Sequence, residues 1–467
     1  MTNLSISLST AADFGDARLN KRLEVMTTSF SEDLRASIPD ASGGKHGTKA
    51  SYRFFDNSKV TDGGIIQAHA KVFQAHEFDS DVPVRVLQLS DTVEFDYTGK
   101  KGADQLGCLN YPNRRGIYLH NSLMVNNFGV PLGVLKQTYW LRSESDLGQS
   151  AARRKLPLDQ KESYRWYDHF KAGEALCKEY ENLEVVYVAD READFMELLT
   201  AREHPRMHYV IRSQYNRNLQ DDSDKLWNKV GKSEVRTTYK VQIQHPKTKK
   251  KRVAEVEVRF CPLTIELQRK RLVDGTKLPA VTLNAIEVRE INPPSDIEEP
   301  IYWVLLTTLE VNTIEDALQV IGYYIHRWTV ERFHYTLKSG GAQVEELQLG
   351  TPHRLKNAIA TYSISVMNVM KIKYLAEHQP DTKINEIGIT SLEQEVLYNH
   401  VHQFHNKKVK YAAKEIPTIK EFCIVLAMLV GFHPSKRQPL PGLKRLTKAS
   451  MKFELIYKAA STYIQDG

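Results

Sequence analysis

The chain has 467 residues, 41% apolar and 26% charged, the make-up of a globular protein with room for two or three domains. Its formal net charge of +7 permits a polyanionic partner without demanding one. Cys108, Cys177, Cys261 and Cys423 are scattered, which excludes a CxxC metal pair or a disulfide framework and suits a reducing cytoplasm.

The opening stretch has no basic start followed by an apolar run, so no secretory signal is expected. Residues 1–65 read as a small helical unit. "DFGDARLNKRLEVMTTSF" has helical spacing, and "GGKHGTKASYRFFDNSKVT" reads as a glycine-broken loop leading into another helix. Arg18, Lys21, Arg22, Arg53 and Lys59 are spaced along it, either as a solvated face or as contacts for a polyanion.

From Val84 the pattern turns to strands. "VPVRVLQLSDTVEFDY" is one, and "GIYLHNSLMVNNFGVPLGVLKQTYWLR" is two strands joined by an Asn/Gly turn. A helix is expected around "DQKESYRWYDHFKAGEALCKEYE". In "LEVVYVADREADFMELLTAR" a continuous apolar strand ends at Asp190 and a helix should follow. Continuous apolarity marks a strand covered on both faces. This order predicts an α/β domain with a mixed sheet. Residues 232–310 read as a β-rich insertion, with the basic run "HPKTKKKR" at a hairpin tip, where phosphate contact and plain solvation are equally compatible.

Thr313 to Asp316 is a helix start of the [ST]-x-x-[DE] kind, and "KSGG" at 338–341 is a stop, which predicts one helix of about seven turns. On it lies "YYIHRWTVERFHYTLK". At 100° per residue from Tyr324, Arg327 falls at about 300°, Glu331 at about 340°, Lys338 at about 320° and Trp328 at about 40°. This narrow stripe is too polar for a core and too aromatic for an idle surface. More helix follows, and residues 401–467 hold twelve Lys or Arg against four Asp or Glu. The longest apolar run, Phe422 to Phe432, is too short to span a bilayer and reads as a buried helix, either pairing two subunits or completing one chain's core.

Three acids stand where an unpaired charge is costly. Asp91 follows "VRVLQLS", Asp190 ends "VVYVA", and Glu331 sits on the mixed stripe. Singly, Asp91 could be a turn residue, Asp190 a helix cap and Glu331 a partner of Arg327. Together their oxygens suit Mg²⁺, and two such ions can drive phosphoryl transfer. The stretches "LSDT", "VADREADF" and "YIHRWTVERFHYTLK" resemble the signature regions of bacterial DDE transposases of the insertion-sequence-four type, a group that includes the transposon-five transposase. That group's helix signature is Y-x2-R-x3-E-x6-K, and Tyr324, Arg327, Glu331 and Lys338 meet every spacing.

The resemblance implies an RNase H-like catalytic core over residues 66–375 with the β-rich insertion inside it. An end-binding helical domain would occupy 1–65 and a dimerising helical domain 376–467. It implies Asp91, Asp190 and Glu331 as catalytic ligands of Mg²⁺ or Mn²⁺, two ions per site. It implies cut-and-paste chemistry in which a freed 3′-OH forms a hairpin at each element end. In that scheme Trp303 supports an extruded base and Trp328 lines its pocket. Tyr324, Arg327, Lys338 and Arg212 hold phosphates, while Arg22 and Arg53 contact end DNA. The expected partners are element-end and target duplex DNA and a second copy of the chain, in a bacterial cytoplasm with no membrane contact. A non-enzymatic DNA-binding inhibitor and a plain metal-dependent nuclease are the competing readings.

Overall fold

The computed structural model describes residues 8–78, 82–149, 156–220, 224–245, 247–248, 250–265, 278–410 and 415–465. The first seven residues, Pro246 and Lys249 of the basic run, and residues 411–414 of the C-terminal region therefore lie outside the described residues. Helices α1 (Ala17–Glu32), α2 (Lys45–Asp56) and α3 (Asp62–Glu77) come first. Strands β1 (Val84–Asp96), β2 (Gly107–Cys108), β3 (Arg115–Asn126) and β4 (Pro131–Trp140) follow. Next are α4 (Tyr164–Glu179), β5 (Leu183–Ala189), β6 (Met207–Arg212) and α5 (Leu226–Lys232). Strands β7 (Thr237–Gln244), β8 (Lys251–Ile265), β9 (Val281–Ile291) and β10 (Tyr302–Thr307) lead into the helices α6 (Ile314–His326) and α7 (Trp328–Tyr335). The chain closes with α8 (Pro352–His378), α9 (Ser391–Phe404), α10 (Ile419–Met428) and α11 (Leu443–Gln465).

Two compact units divide these elements. One, the sheet unit, comprises Ser80–Asp91 and Gly148–Trp328; the other, the helical unit, comprises Met1–Asp79, Thr92–Leu147 and Thr329–Gly467. In the sheet unit the strand order is β1-β5-β6-β10-β9-β8-β7. β1, β5 and β6 are parallel and the remaining pairings are antiparallel, so the sheet is mixed. β10 falls within the stretch read as an insertion, yet it pairs with β6 as well as β9, so β7–β9 extend the same sheet.

Successive side chains of a strand point to opposite faces, and β1 shows both. Gln88 donates from Nε2 to the His169 carbonyl of α4 at 2.7 Å. Arg85, on the other face, reaches Tyr323 and Gln319 of α6 at 3.3 and 3.4 Å. α4 therefore covers one face and α6 the other, and β5 is buried almost throughout. Gly173 permits the α4 approach: a Cβ there would stand 2.0 Å from Gln88 Oε1.

The helical unit is organised around α8, which packs against α1, α2, α3, β4, α10 and α11. Its buried polar residues follow no amphipathic rhythm because they bond inward: Thr361 donates to the Asn357 carbonyl and Ser363 to that of Ile359, both at 2.8 Å. Phe422, Cys423, Leu426 and Leu429 are buried within one chain against Leu397, Val401, Leu446 and Ala449. Most of the Phe422–Phe432 run thus packs into the chain's own core, with Ile424, Met428 and Val430 half-buried. In this unit β3 pairs with β2 and β4.

Three local expectations need correction. α2 begins directly after Gly44, so Gly47 and its neighbours are helical rather than loop. The helix expected after Asp190 is only a 3-10 turn, Arg191–Ala193, and one short turn, Met196–Leu199. The seven-turn helix is interrupted: at Arg327 the backbone N–H bonds to the Tyr324 carbonyl, three residues back, and Thr336–Gly340 forms a π turn. Inserting one methyl where α4 meets β1 should strain the sheet unit. Gly173→Ala is expected to lower unfolding free energy by about 1–3 kcal/mol, read as a lower midpoint in urea denaturation.

Candidate active site and nucleic-acid interface

The register of three parallel strands builds the site. Leu89 pairs with Val188, so two residues further on Asp91 stands beside Asp190. Ala189 pairs with Ile211, which sets Asp190 beside Arg212. Residues paired across a sheet share a face, and neighbouring strands lie about 4.8 Å apart. Continued just past the last paired residues, this register sets Asp91, Asp190 and Arg212 in a row where the parallel pairing ends, Asp91 inside the longer β1, Asp190 directly after β5 and Arg212 at the end of β6. They share the face that α6 covers, since Asp91 lies an even number of residues from Arg85.

Each acid has a visible tether. Arg327 Nη1 donates to Asp91 Oδ2 at 3.3 Å, with both side chains largely enclosed. Asp190 Oδ1 accepts from the Glu192 N–H at 2.9 Å, so it does cap the short turn that follows it. That leaves its other oxygen for different chemistry. Glu331 lies one turn beyond Arg327 on α7, half-buried, on the part of the chain that belongs to the helical unit. Among the described residues, no group of three or more His, Cys, Asp or Glu stands close enough to hold a metal ion. Asp91 and Asp190 are nonetheless hard oxygen donors on one face, the donor chemistry that a divalent cation takes.

The aromatic residues complete the row. Arg212 lies opposite Leu305, and Trp303, two residues earlier on β10, shares that face. Its ring meets Tyr324 edge-on, with centroids 5.2 Å apart. The Arg327 guanidinium lies 5.8 Å from the Tyr324 ring and 5.7 Å from the Trp328 ring. Burial pushes the Tyr324 phenol above its ordinary value; Arg327 and Arg212 pull it back, and Asp190 adds to the rise. Asp91, Asp190, Arg212, Trp303, Tyr324, Arg327 and Trp328 are thus brought together here. The stripe itself is not a surface. Tyr324 is 3% exposed and Arg327 9%, because the guanidinium is paired and flanked by rings; only Trp328, 57% exposed, faces solvent. Lys338 lies within the π turn, where Nζ donates to the Glu94 carbonyl at 2.9 Å and pairs with Glu345 at 3.1 Å.

One pair escaped the reading of the sequence. Asp194 is fully buried, and its Oδ2 accepts from Arg217 and the Gln214 N–H, both at 2.6 Å. It fixes the loop after Arg212, and the last acid of "DREAD", four residues from Asp190, was its only sequence signal. The basic run is occupied as well: His245 meets Asp296 at 3.1 Å, Lys247 meets Glu298 at 2.5 Å, and Arg252 pairs with Glu290. In the N-terminal helices the cations are differently placed. Lys45, Lys49 and Arg53 line one exposed face of α2 at four-residue spacing, with Tyr52 and Arg354 beside them. Arg22 is half-buried on α1.

Residues 2–60 match the family model described as Transposase DNA-binding, and residues 165–368 match the one described as Transposase DDE domain. The mixed sheet and its helices agree with the RNase H-like architecture of the second. Breaking the buried ion pair tests how the loop after Arg212 is held. Arg217→Ala leaves Asp194 charged and enclosed, and should cost about 3–5 kcal/mol in equilibrium unfolding of the full chain.

Proposed function

We propose, from the premise that the two matched domains support a DDE transposase, that this protein excises and reinserts a DNA element as transposases of the insertion-sequence-four type do. The observation that carries this reading is the placement of Asp91 and Asp190 at matching positions on adjacent parallel strands, on one face, with Arg327 against Asp91. Carboxylates so close repel unless a positive charge stands by them. Glu331, one turn past Arg327, is the third acid of the set.

DDE transposase domains use divalent metal ions, and in this reading Asp91, Asp190 and Glu331 hold Mg²⁺ or Mn²⁺, two ions per site. Cations bound there would make the attacking oxygen a better nucleophile and offset charge on the leaving one. The remaining work belongs to the chain's own groups. Arg327 orients the Asp91 carboxylate and brings positive charge to the DNA backbone, with Arg212 beside it and Lys338 further along. The rings of Trp303 and Trp328 receive a base that has left the stack when the end folds into a hairpin. Extruding a base costs a few kcal/mol, and stacking on a ring returns about 1–3 kcal/mol.

Element ends are read by residues 1–65, whose α2 face presents Lys45, Lys49 and Arg53 to phosphates, with Arg22 nearby on α1. Catalysis occupies 66–375. Two copies act on paired ends, with 376–467 as the dimerising region. None of the described helices is long and apolar enough to cross a membrane, and the reading places the enzyme in the cytoplasm, on the nucleoid when bound.

Two measurements test it. Outer partners of metal ligands typically matter by about 10–100-fold, so Glu331→Ala, which removes a ligand, should lower metal-dependent cleavage by more than about a hundredfold. The variant should still shift end DNA in a gel, and cleavage at the wild-type rate would overturn the assignment. Each lost phosphate contact lowers the salt slope of binding by about 1. Lys49→Ala combined with Arg53→Ala should therefore reduce the slope by about 2, and an unchanged slope would remove α2 from the interface.

A further inference from the structure

At the middle of β3 stand His120, Asn121 and Ser122, all fully buried. A polar triplet inside a core is costly unless its groups are paired. Apolar side chains of the same shape would serve packing with little or no loss. The DNA reading gives these residues no part.

His120 Nδ1 meets Thr92 Oγ1, of the residue directly after Asp91, at 2.8 Å. Asn121, the next residue, turns to the other face and meets His334 at 2.9 Å. His334 lies on α7 three residues after Glu331, a spacing that puts both on one side of the helix. Thr92, His120, Asn121 and His334 all belong to the helical unit. Adjacent residues of one strand thus tether the segments next to two of the three acids.

α7 needs such a tether. It has eight residues, and the regular helical ladder is interrupted before it at Arg327 and after it by the π turn at Thr336–Gly340. Val330 and Phe333 are buried, but apolar burial has no direction and lets a short helix rotate or slide.

The hydrogen bonds that reach α7 run one way. Tyr139 Oη donates to Gln137 Oε1 at 2.9 Å. Gln137 Nε2 donates to Asn121 Oδ1 at 2.7 Å and to Ser363 Oγ at 2.9 Å. With its oxygen accepting from Gln137, Asn121 turns its amide nitrogen to the imidazole. An amide nitrogen only donates, so His334 Nε2 accepts and the proton of the neutral ring sits on Nδ1.

We propose that Asn121 and His334 are positioning residues for Glu331: the directed relay from β4 through β3 fixes the rotation of α7, and with it the bearing of the Glu331 carboxylate. The inference rests on the DNA reading, which assigns that carboxylate to the metal. In this role neither side chain touches the reacting atoms, and His334 moves no proton. Its acceptor nitrogen is what counts.

Two substitutions and one spectrum of the full chain test it. Leucine removes the acceptor, whereas glutamine can place an oxygen near the position of Nε2. His334→Leu should lower metal-dependent cleavage of end DNA about 10–100-fold at saturating DNA and raise the Mg²⁺ concentration that gives half the maximal rate. His334→Gln should keep most of the wild-type rate and the wild-type Mg²⁺ midpoint. A mere loss of folded protein would scale the rate without moving that midpoint. In the wild-type chain labelled with ¹⁵N-histidine, Nε2 of His334 should resonate as an unprotonated nitrogen at neutral pH, the signal being the one that His334→Gln removes. A protonated Nε2 would overturn the proposal whether or not His334→Leu folds. So would a wild-type rate and midpoint in His334→Leu, or equal defects in both variants. If Glu331→Ala is inactive while His334→Leu is not, the DNA reading stands and this inference alone falls.

Discussion

A carboxylate enclosed in a sheet must be given a positive charge or enough donors, and that requirement shapes the sheet unit. Asp91 receives the guanidinium of Arg327, the residue directly after α6. At the other end of the same contact, Arg85 of β1 holds Tyr323 and Gln319 of α6. The helix is thus fastened to β1 at two places by arginines that run in opposite directions, one from strand to helix and one from helix to strand. This double fastening brings Tyr324 under Trp303 and leaves Trp328 at the surface. It also gives the broken helical ladder at Arg327 a reason: the turn tightens where the side chain is pulled to the strand.

Much of the fold was legible because it rests on patterns of short range. The two strands β3 and β4 with their Asn/Gly turn, the continuous apolarity of β5 and the capping box at Thr313 and Asp316 all appear in the structure. Asp91 and Asp190 could be singled out because an acid after a run of Val and Leu is expensive. Long-range matters were not legible. Nothing local distinguishes β10 from the strands before it, yet its partner is β6, about ninety residues earlier. Nor does helical phase report burial: a stripe of Tyr and Arg looks like surface until the guanidinium finds Asp91 and the ring finds Trp303. In the basic run "HPKTKKKR" the partners of His245 and Lys247 were hidden for the same reason, since those acids lie some fifty residues away.

The helical unit solves a different problem. The middle of its longest helix is buried all round, so hydroxyls turn back on their own backbone and the Asn357 amide bridges to neighbouring elements. Around it a buried relay joins His334 of α7 to Asn121 of β3 at 2.9 Å, Asn121 to Gln137 of β4 at 2.7 Å, and Gln137 to Ser363 of α8 at 2.9 Å. Groups paired this completely hold geometry more than they add stability. The helix segment that carries Glu331 is therefore anchored three residues away by a network with little freedom to slide.

The π turn at Thr336–Gly340 bears on how the helix motif should be counted. A pattern written as Y-x2-R-x3-E-x6-K treats residue number as a ruler for direction in space, and such a ruler holds only while the pitch is constant. Here the pitch changes twice between the first letter and the last. Lys338 keeps its place in the string but not its angular phase, and it reaches the Glu94 carbonyl through the wider turn. A chain that lost one residue in that turn would break the written motif yet could return the amine to the older bearing, so matching by letters alone would discard a protein whose geometry had been preserved.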